Sequence, residues 1–307
     1  MSLNIVFMGT PEFSVPTLDL LIKSKFNVLK VYTQPPKKSK RGQKINPSAI
    51  EEFSRKKNLN LRSPSSLNNN EEEFKVLKNL SPDLVVVVAY GKIIPKNFLE
   101  IPKFGFINIH ASLLPKWRGA APIQRAIMNQ DKKIGVSIMK IEEKLDSGPV
   151  LSSEEMELNQ NSTYDEIEKK LSISGANLLV ETLKKLTIEK IEFKKQDDSK
   201  ATYAKKINKD ETRINWNLEA DKIIAHIHGL SPSPGAWFEH KGDRFKVLKA
   251  TKSSLLGKPG TIMDENLNVA CKSNSIQILE LQKQGKNRQS TKEFLLGYKI
   301  NNGTILV

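Results

Sequence analysis

A single cysteine, Cys271, stands in 307 residues. No internal disulfide can form, and no thiolate-rich zinc site can be assembled. Histidine is nearly as scarce, with His110, His226, His228 and His240 the full set. Their spacing matches no standard ligand pattern, and on a helical stretch such as 221–229 the pair His226 and His228 would diverge, so no metal is expected. Long apolar runs are missing too. The longest aliphatic one, Leu84 to Ala89, is far short of the ~20 residues a membrane span needs, and no basic-then-apolar leader is present. A cytoplasmic protein without a membrane anchor is expected. The first turn offers one glycine, Gly9. A dinucleotide fingerprint needs three and a phosphate loop needs a lysine, which argues against nicotinamide cofactors and ATP.

Acidic residues are also few, 34 against 49 basic, for a net charge of +15 on a chain that is 38% hydrophobic. The excess is +8 over residues 1–204 and +7 over 205–307, so the last third is denser in positive charge. On a chain of globular composition this implies a polyanionic partner; lysine-rich genome composition is the plain alternative. Clustering favours the partner, because Lys37, Lys38, Lys40, Arg41 and Lys44 share one stretch with no acidic residue. Such runs bind phosphates or remain solvated loops.

The length suits two domains. Leu3 to Met8 is an apolar run followed by Gly9, Thr10 and Pro11 and an amphipathic stretch from Phe13 to Ile22, which predicts strand, tight turn and helix. Further β-rich runs at 28–32, 84–89 and 104–110 alternate with helical stretches at 47–57 and 71–80. That alternation predicts an α/β domain with a mostly parallel, Rossmann-like sheet. Residues 187–205 are polar, placing a linker at 190–207 between domains at 1–189 and 208–307. In the second, runs at 236–238, 245–248, 260–263 and 275–281 are separated by Pro232, Pro234, Gly235, Gly242, Gly257 and Pro259, which predicts a small β-barrel.

The most informative stretch is Asn108 to Ile127, NIHASLLPKWRGAAPIQRAI. With period two, Asn108, His110 and Ser112 share one face of a strand while Ile107 and Ile109 point to the other. An amide donor beside an imidazole suits a reaction in which charge develops on a carbonyl oxygen while an amine loses a proton. Acyl or formyl transfer fits; a satisfied core histidine is the bland alternative.

Four segments carry a resemblance: Met8 to Phe13 (MGTPEF), Val87 to Gly91 (VVAYG), the central motif, and Leu145 to Pro149 (LDSGP). In register over nearly the whole chain, they resemble the folate-dependent formyltransferases. The resemblance implies 10-formyltetrahydrofolate as donor and, as acceptor, the α-amino group of methionine esterified to initiator tRNA, with no metal. It implies that Asn108 holds the formyl oxygen, that His110 assists, and that Asp146 pairs with the histidine and relays the amine's proton. Ser112, Leu113, Leu114 and Pro115 would form the folate-contacting turn, with Val88, Ala89, Tyr90 and Gly91 giving backbone groups to the pterin. Members acting on tRNA carry an insertion like 37–44, making Arg41 the expected tRNA contact with Lys37, Lys38, Lys40 and Lys44 beside it. Here Pro36, Lys37 and Lys38 depart from the usual acidic residue and Arg-Pro. The carboxy-terminal module would be an OB-like, tRNA-binding barrel, and the protein a monomer. Trp117, Arg118 and Gln124 are read as starting and capping a helix over 120–129. Relatives formylating small nucleotides, a hydrolase relative and an inactive RNA-binding relative share parts of the pattern; the intact Asn108, His110 and Asp146 and the basic regions separate the first reading from them.

Overall fold

A computed structural model describes residues 3–38, 45–188 and 192–306. Its first half runs β1 (Asn4–Gly9), α1 (Val15–Lys23), β2 (Asn27–Tyr32), β3 (Lys37–Lys38), β4 (Ile45–Asn46), α2 (Ala49–Lys56), β5 (Leu61–Arg62), α3 (Glu71–Leu80) and β6 (Leu84–Val88). It continues through α4 (Lys96–Leu99), β7 (Phe106–His110), β8 (Arg118–Gly119), α5 (Pro122–Met128), β9 (Lys133–Lys140), β10 (Val150–Glu157) and α6 (Tyr164–Ile188). The remainder holds β11 (Tyr203–Ala204), α7 (Ala220–Leu230), β12 (Ala236–His240), β13 (Asp243–Ser253), β14 (Asn268–Ala270), β15 (Ser275–Lys283), β16 (Gln289–Ser290) and α8 (Thr291–Gly297).

Two compact units emerge. The first comprises Met1–Arg118, Gly135–Glu155 and Lys169–Tyr203, the second Gly119–Ile134, Met156–Glu168 and Ala204–Val307. Both are discontinuous in sequence.

In the first unit seven strands form one sheet in the order β10-β9-β7-β6-β1-β2-β5. β1 pairs in parallel with β2 and β6, β6 with β7 and β2 with β5, while β7 and β9 are antiparallel. The mostly parallel α/β architecture read from the sequence is therefore present. All five residues of β6 are buried, as a strand covered on both faces requires, and each such side chain stabilises by about 1.5–3 kcal/mol. Ser48 and Asn70 cap α2 and α3 by accepting from the amides of Glu51 and Glu73, each contributing about 1 kcal/mol. Strand order reverses at β1, so the carboxyl ends of β1 and β6 bound a crevice of the kind that receives ligands in open α/β sheets. The carboxyl end of β7 lies along the same edge.

The second unit holds an antiparallel sheet in the order β12-β13-β15-β14, with β16 also on β15. Register shifts between Val247 and Ala250 bend β13, since an extra residue on one strand increases local twist. The curled sheet packs Phe238, Phe245, Val247 and Ile278 with Ile223 and Ile227 of α7, and Phe238 stacks on Phe245 at 5.4 Å. The strand path is open among the described residues, a half-barrel where the sequence predicts a barrel. Residues 260–263, expected as a strand, make only isolated bridges, Thr261 with Ile305 and Ile262 with Val269.

Candidate active site

β7 fixes two of the expected residues. Asn108 lies in register between Val87 of β6 and Met139 of β9, and His110 lies opposite Ser137. Phe106 on the same face is buried with Met8 and Val87, which anchors the strand one turn of the pleat before Asn108. On the opposite face Ile109 meets α6 at Gly175, where an added Cβ would come within 2.8 Å of Ile109 Cγ2. Only glycine lets the helix close that tightly behind the histidine. The Asn108 side chain is half-buried and has no hydrogen-bond partner among the described residues.

His110 is 6% exposed. Its Nε2 lies 2.9 Å from the Trp117 carbonyl. A carbonyl only accepts, so Nε2 carries a hydrogen and Nδ1 is the nitrogen whose proton can come and go. Nδ1 stands 3.8 Å from Asp146 Oδ2, longer than a hydrogen bond but within ion-pair reach. Trp117 adopts φ +60°, and its amide donates to Thr202 Oγ1 at 2.9 Å.

Asp146 has φ +45°, a left-handed conformation that aspartate tolerates better than most residues. Gly148 permits the turn, because any Cβ there would overlap the Lys140 carbonyl and crowd Glu142 Cγ at 3.3 Å. The carbonyls of Asp146 and Gly148 both accept from Gln196 Nε2, at 2.9 and 2.7 Å.

The turn from Ser112 to Pro115 lies beyond the strand expected to carry its first residue. β7 ends at His110, and the Ser112 hydroxyl, 1% exposed, donates to the Lys116 carbonyl at 2.6 Å. That bond closes the turn. Ser137 ties the turn to β9, donating to the Ser112 carbonyl at 2.8 Å and accepting from the Leu114 amide at 3.1 Å. Leu113, Leu114 and Pro115, with a cis Leu114–Pro115 peptide, stay half-buried.

The segment after β6 also sorts itself. The Tyr90 ring is buried at 1% exposure, not packed at a rim, and burial, with a smaller effect from the Glu73 carboxylate, pushes its phenol up to about 12. Its carbonyl already accepts from Thr10 Oγ1 and Gln34 Nε2, and Val88 O accepts from Ser14 Oγ. Ala89 and Gly91 are exposed at φ +46° and +72°, and the Gly91 carbonyl also accepts from Gln34 Nε2 at 3.1 Å. Arg118 corrects the helix-start reading. It is 1% exposed and its guanidinium turns to Gln196 and Asp198 instead of capping α5.

A formyl transferase family model matches residues 3–183, and a formyl transferase C-terminal domain model matches 206–299. The chain is 50% identical over 305 residues to a methionyl-tRNA formyltransferase of Pelagibacter ubique, covering 99% of this chain and 98% of that one. It belongs to the methionyl-tRNA formyltransferase family. A second such protein, from a Chelativorans species, is 42% identical over the full length of both chains.

Solved structures of 16–18% identity share the fold. A methionyl-tRNA formyltransferase from Clostridium thermocellum aligns with a TM-score of 0.56 over 81% of this chain and 93% of that one. HypX from Aquifex aeolicus in complex with tetrahydrofolic acid aligns at 0.65 over 99% of this chain and 51% of that one.

As a formyltransferase of this family, the chain has further features that sequence reasoning missed. Gln196 and Thr202 lie in the stretch expected as a linker. In the second unit Trp237 is stacked by Arg244 at 3.7 Å and approached by Arg213 at 5.4 Å, while its indole donates to Thr212 Oγ1 at 2.9 Å. The Trp237 to Lys246 register that sets this cluster carries no signal in a one-dimensional pattern. Lys283, Lys286 and Arg288 line a cavity of about 700 Å³ with Phe294 and Tyr298. Lys40, Arg41 and Lys44 lie outside the described residues, while Lys37–Lys38 pairs antiparallel with Ile45–Asn46. No group of three metal-ligating side chains occurs among the described residues, and no helix there is long and apolar enough to cross a membrane.

Proposed function

We propose that this formyltransferase moves the formyl group of 10-formyltetrahydrofolate to the α-amino group of methionyl-initiator tRNA, giving N-formylmethionyl-tRNA. The observation that carries this reading is the convergence of an unpartnered amide, an imidazole with one committed nitrogen and a carboxylate at the carboxyl edge of the parallel sheet. The residues fit such a co-substrate: the Asn108 amide is available to a carbonyl oxygen, and the exposed segment at Ala89 and Gly91 offers backbone beside a planar heterocycle.

When bound, the folate supplies an electrophilic formyl carbon and a nitrogen leaving group. Asn108 donates to the oxygen that gains negative charge as the amine attacks; one such donor is worth ~3 kcal/mol. Nε2 of His110 is held by Trp117, so Nδ1 alone moves a proton. The proton leaving the amine would pass by way of the Asp146 carboxylate to Nδ1, whose charge Asp146 balances, and from Nδ1 to the departing nitrogen, so that none is gained or lost. Half-buried Leu113, Leu114 and Pro115 wall the folate on one side.

For the acceptor, the Arg213–Trp237–Arg244 stack and the basic cavity supply oriented guanidinium and ammonium groups suited to phosphates, and Arg41 with Lys37, Lys38, Lys40 and Lys44 enters the acceptor stem. We read the second unit as an OB-like tRNA-binding module, the protein as a cytoplasmic monomer, and residues 190–207 as the connection between its domains. The test incubates the protein with 10-formyltetrahydrofolate and methionyl-initiator tRNA, methionyl-elongator tRNA or no acceptor, and assays formylmethionine and tetrahydrofolate. Formylmethionine with the initiator species alone is expected. Folate release without any tRNA would mean hydrolysis and would overturn the proposal.

A further inference from the structure

Residues 196–202 behave as a clamp on the two loops that carry the candidate chemistry. Thr202 accepts from the Trp117 amide at Oγ1 and from the Arg118 amide at its carbonyl, 2.8 Å, and donates its own amide to the Pro115 carbonyl at 3.3 Å. This fixes the loop whose Trp117 carbonyl holds His110. A few residues earlier Gln196, 9% exposed, bridges in the other direction. Its Oε1 accepts from Arg118 Nε and Nη2 at 3.0 and 2.8 Å, while its Nε2 donates to the carbonyls of Asp146 and Gly148. Arg118 Nη2 also reaches Asp198 Oδ1 at 2.7 Å, and Asp198 Oδ2 meets Lys144 at 3.2 Å.

The consequence is geometric. One fully buried guanidinium, in the residue next to Trp117, orients one amide, and that amide grips the backbone of Asp146 itself. Arg118 and Gln196 thus act on the backbone that carries the Asp146 carboxylate, 3.8 Å from His110 Nδ1. A buried guanidinium shared between the Gln196 amide and the Asp198 carboxylate, with Nη1 unpartnered among the described residues, is an expensive way to fill space, because replacing such a group by apolar side chains of equal volume is often neutral or stabilising. A fixed donor that orients the Gln196 amide explains its presence better than packing does.

We propose that Gln196, oriented by the buried Arg118, is a positioning residue that holds Asp146 at its working distance from His110. This rests on the reading of Asp146 given above. Displacement of a reacting group by about 1 Å can cost on the order of 100-fold in rate, so loss of the grip should be read in kcat.

The experiment compares Gln196→Met, Gln196→Glu, Asp146→Asn and the double variant Gln196→Met/Asp146→Asn in formyl transfer to methionyl-initiator tRNA, with folding checked by circular dichroism. Gln196→Met should lower kcat about 10- to 100-fold and leave KM for the folate donor within about twofold. Gln196→Glu keeps an acceptor for Arg118, and so the buried pairing, but cannot donate to the Asp146 carbonyl. It should fold and show the same loss, which keeps the proposal testable if the methionine variant does not fold. Because the effect passes through Asp146, Gln196→Met should cost less than about twofold in the Asp146→Asn background. Multiplicative losses, or wild-type kcat in Gln196→Glu, would overturn the positioning role while leaving the site intact. Wild-type turnover in Asp146→Asn would instead overturn the catalytic reading and the brace with it.

Discussion

Gly148→Ala tests whether the Asp146 turn is held as tightly as it is drawn. The glycine has ordinary dihedrals, so the methyl brings no penalty of conformation; the whole effect is spatial. Its Cβ would sit 3.0 Å from the Lys140 carbonyl carbon and overlap the oxygen outright. Non-bonded carbon and oxygen need about 3.3 Å, and the obstacle is backbone of β9, which cannot rotate away. The turn must therefore lift by about 1 Å or more. Gln196 grips the carbonyls on both sides of the displaced peptide, so the lift carries Asp146 with it. The expected loss is on the order of 100-fold in kcat, with overpacking costing about 1–3 kcal/mol in stability. Steady-state formylation at saturating folate and tRNA, beside a urea melt, measures both. A variant with kcat within twofold of wild type would refute the argument that the turn's position matters.

Asn108→Ala removes the donor proposed to meet the developing oxyanion and should lower kcat by about 100- to 1,000-fold while tRNA binding in a filter assay is retained. Phe238→Ala empties the centre of the second unit's core, where the ring is fully buried and stacked on Phe245; a loss of about 3–5 kcal/mol in denaturant unfolding is expected. Burial holds His228 below its ordinary value, outweighing the Gln160 and Ala250 hydrogen bonds, with Lys249 lowering and Glu166 raising it more weakly. The unfolded chain thus takes up the proton first. Its contribution to stability is complete above about pH 6.5 and is lost as pH falls toward the depressed folded value. Melting temperature should therefore decline more steeply between pH 7 and pH 5 in the wild type than in His228→Gln.

The parallel sheet was legible because β1, β6 and β7 are short apolar runs bounded by turn residues. Asn108 and His110 were legible because strand alternation sets their face without help from distant residues. The extent of the strand was misread for the same reason in reverse: alternation says nothing about where a strand stops, and Ser112 lies in a turn two residues after β7 ends. Tyr90 and Arg118 look like surface residues in one dimension, and only tertiary packing turns the ring inward and gives the guanidinium its amide partner. Gln196 was invisible because its work depends on Asp146, Gly148 and Arg118, 48 to 78 positions away. The half-barrel could not be told from a closed barrel, since both are written as short strands with turns between them.

The division of the chain into interleaved units bears on how it is made and how it can be cut. Residues 119–134 belong to the same unit as the carboxy-terminal third, and Met128 packs on that unit's core, where Gly229 leaves room for it. During synthesis α5 leaves the ribosome long before its partners exist, so this amphipathic turn of chain waits for α7 before it can bury its apolar side. A gene fragment ending in the 190–207 stretch would release a polypeptide with α5 uncovered, prone to self-association, and a fragment starting there would carry a core short of one helix.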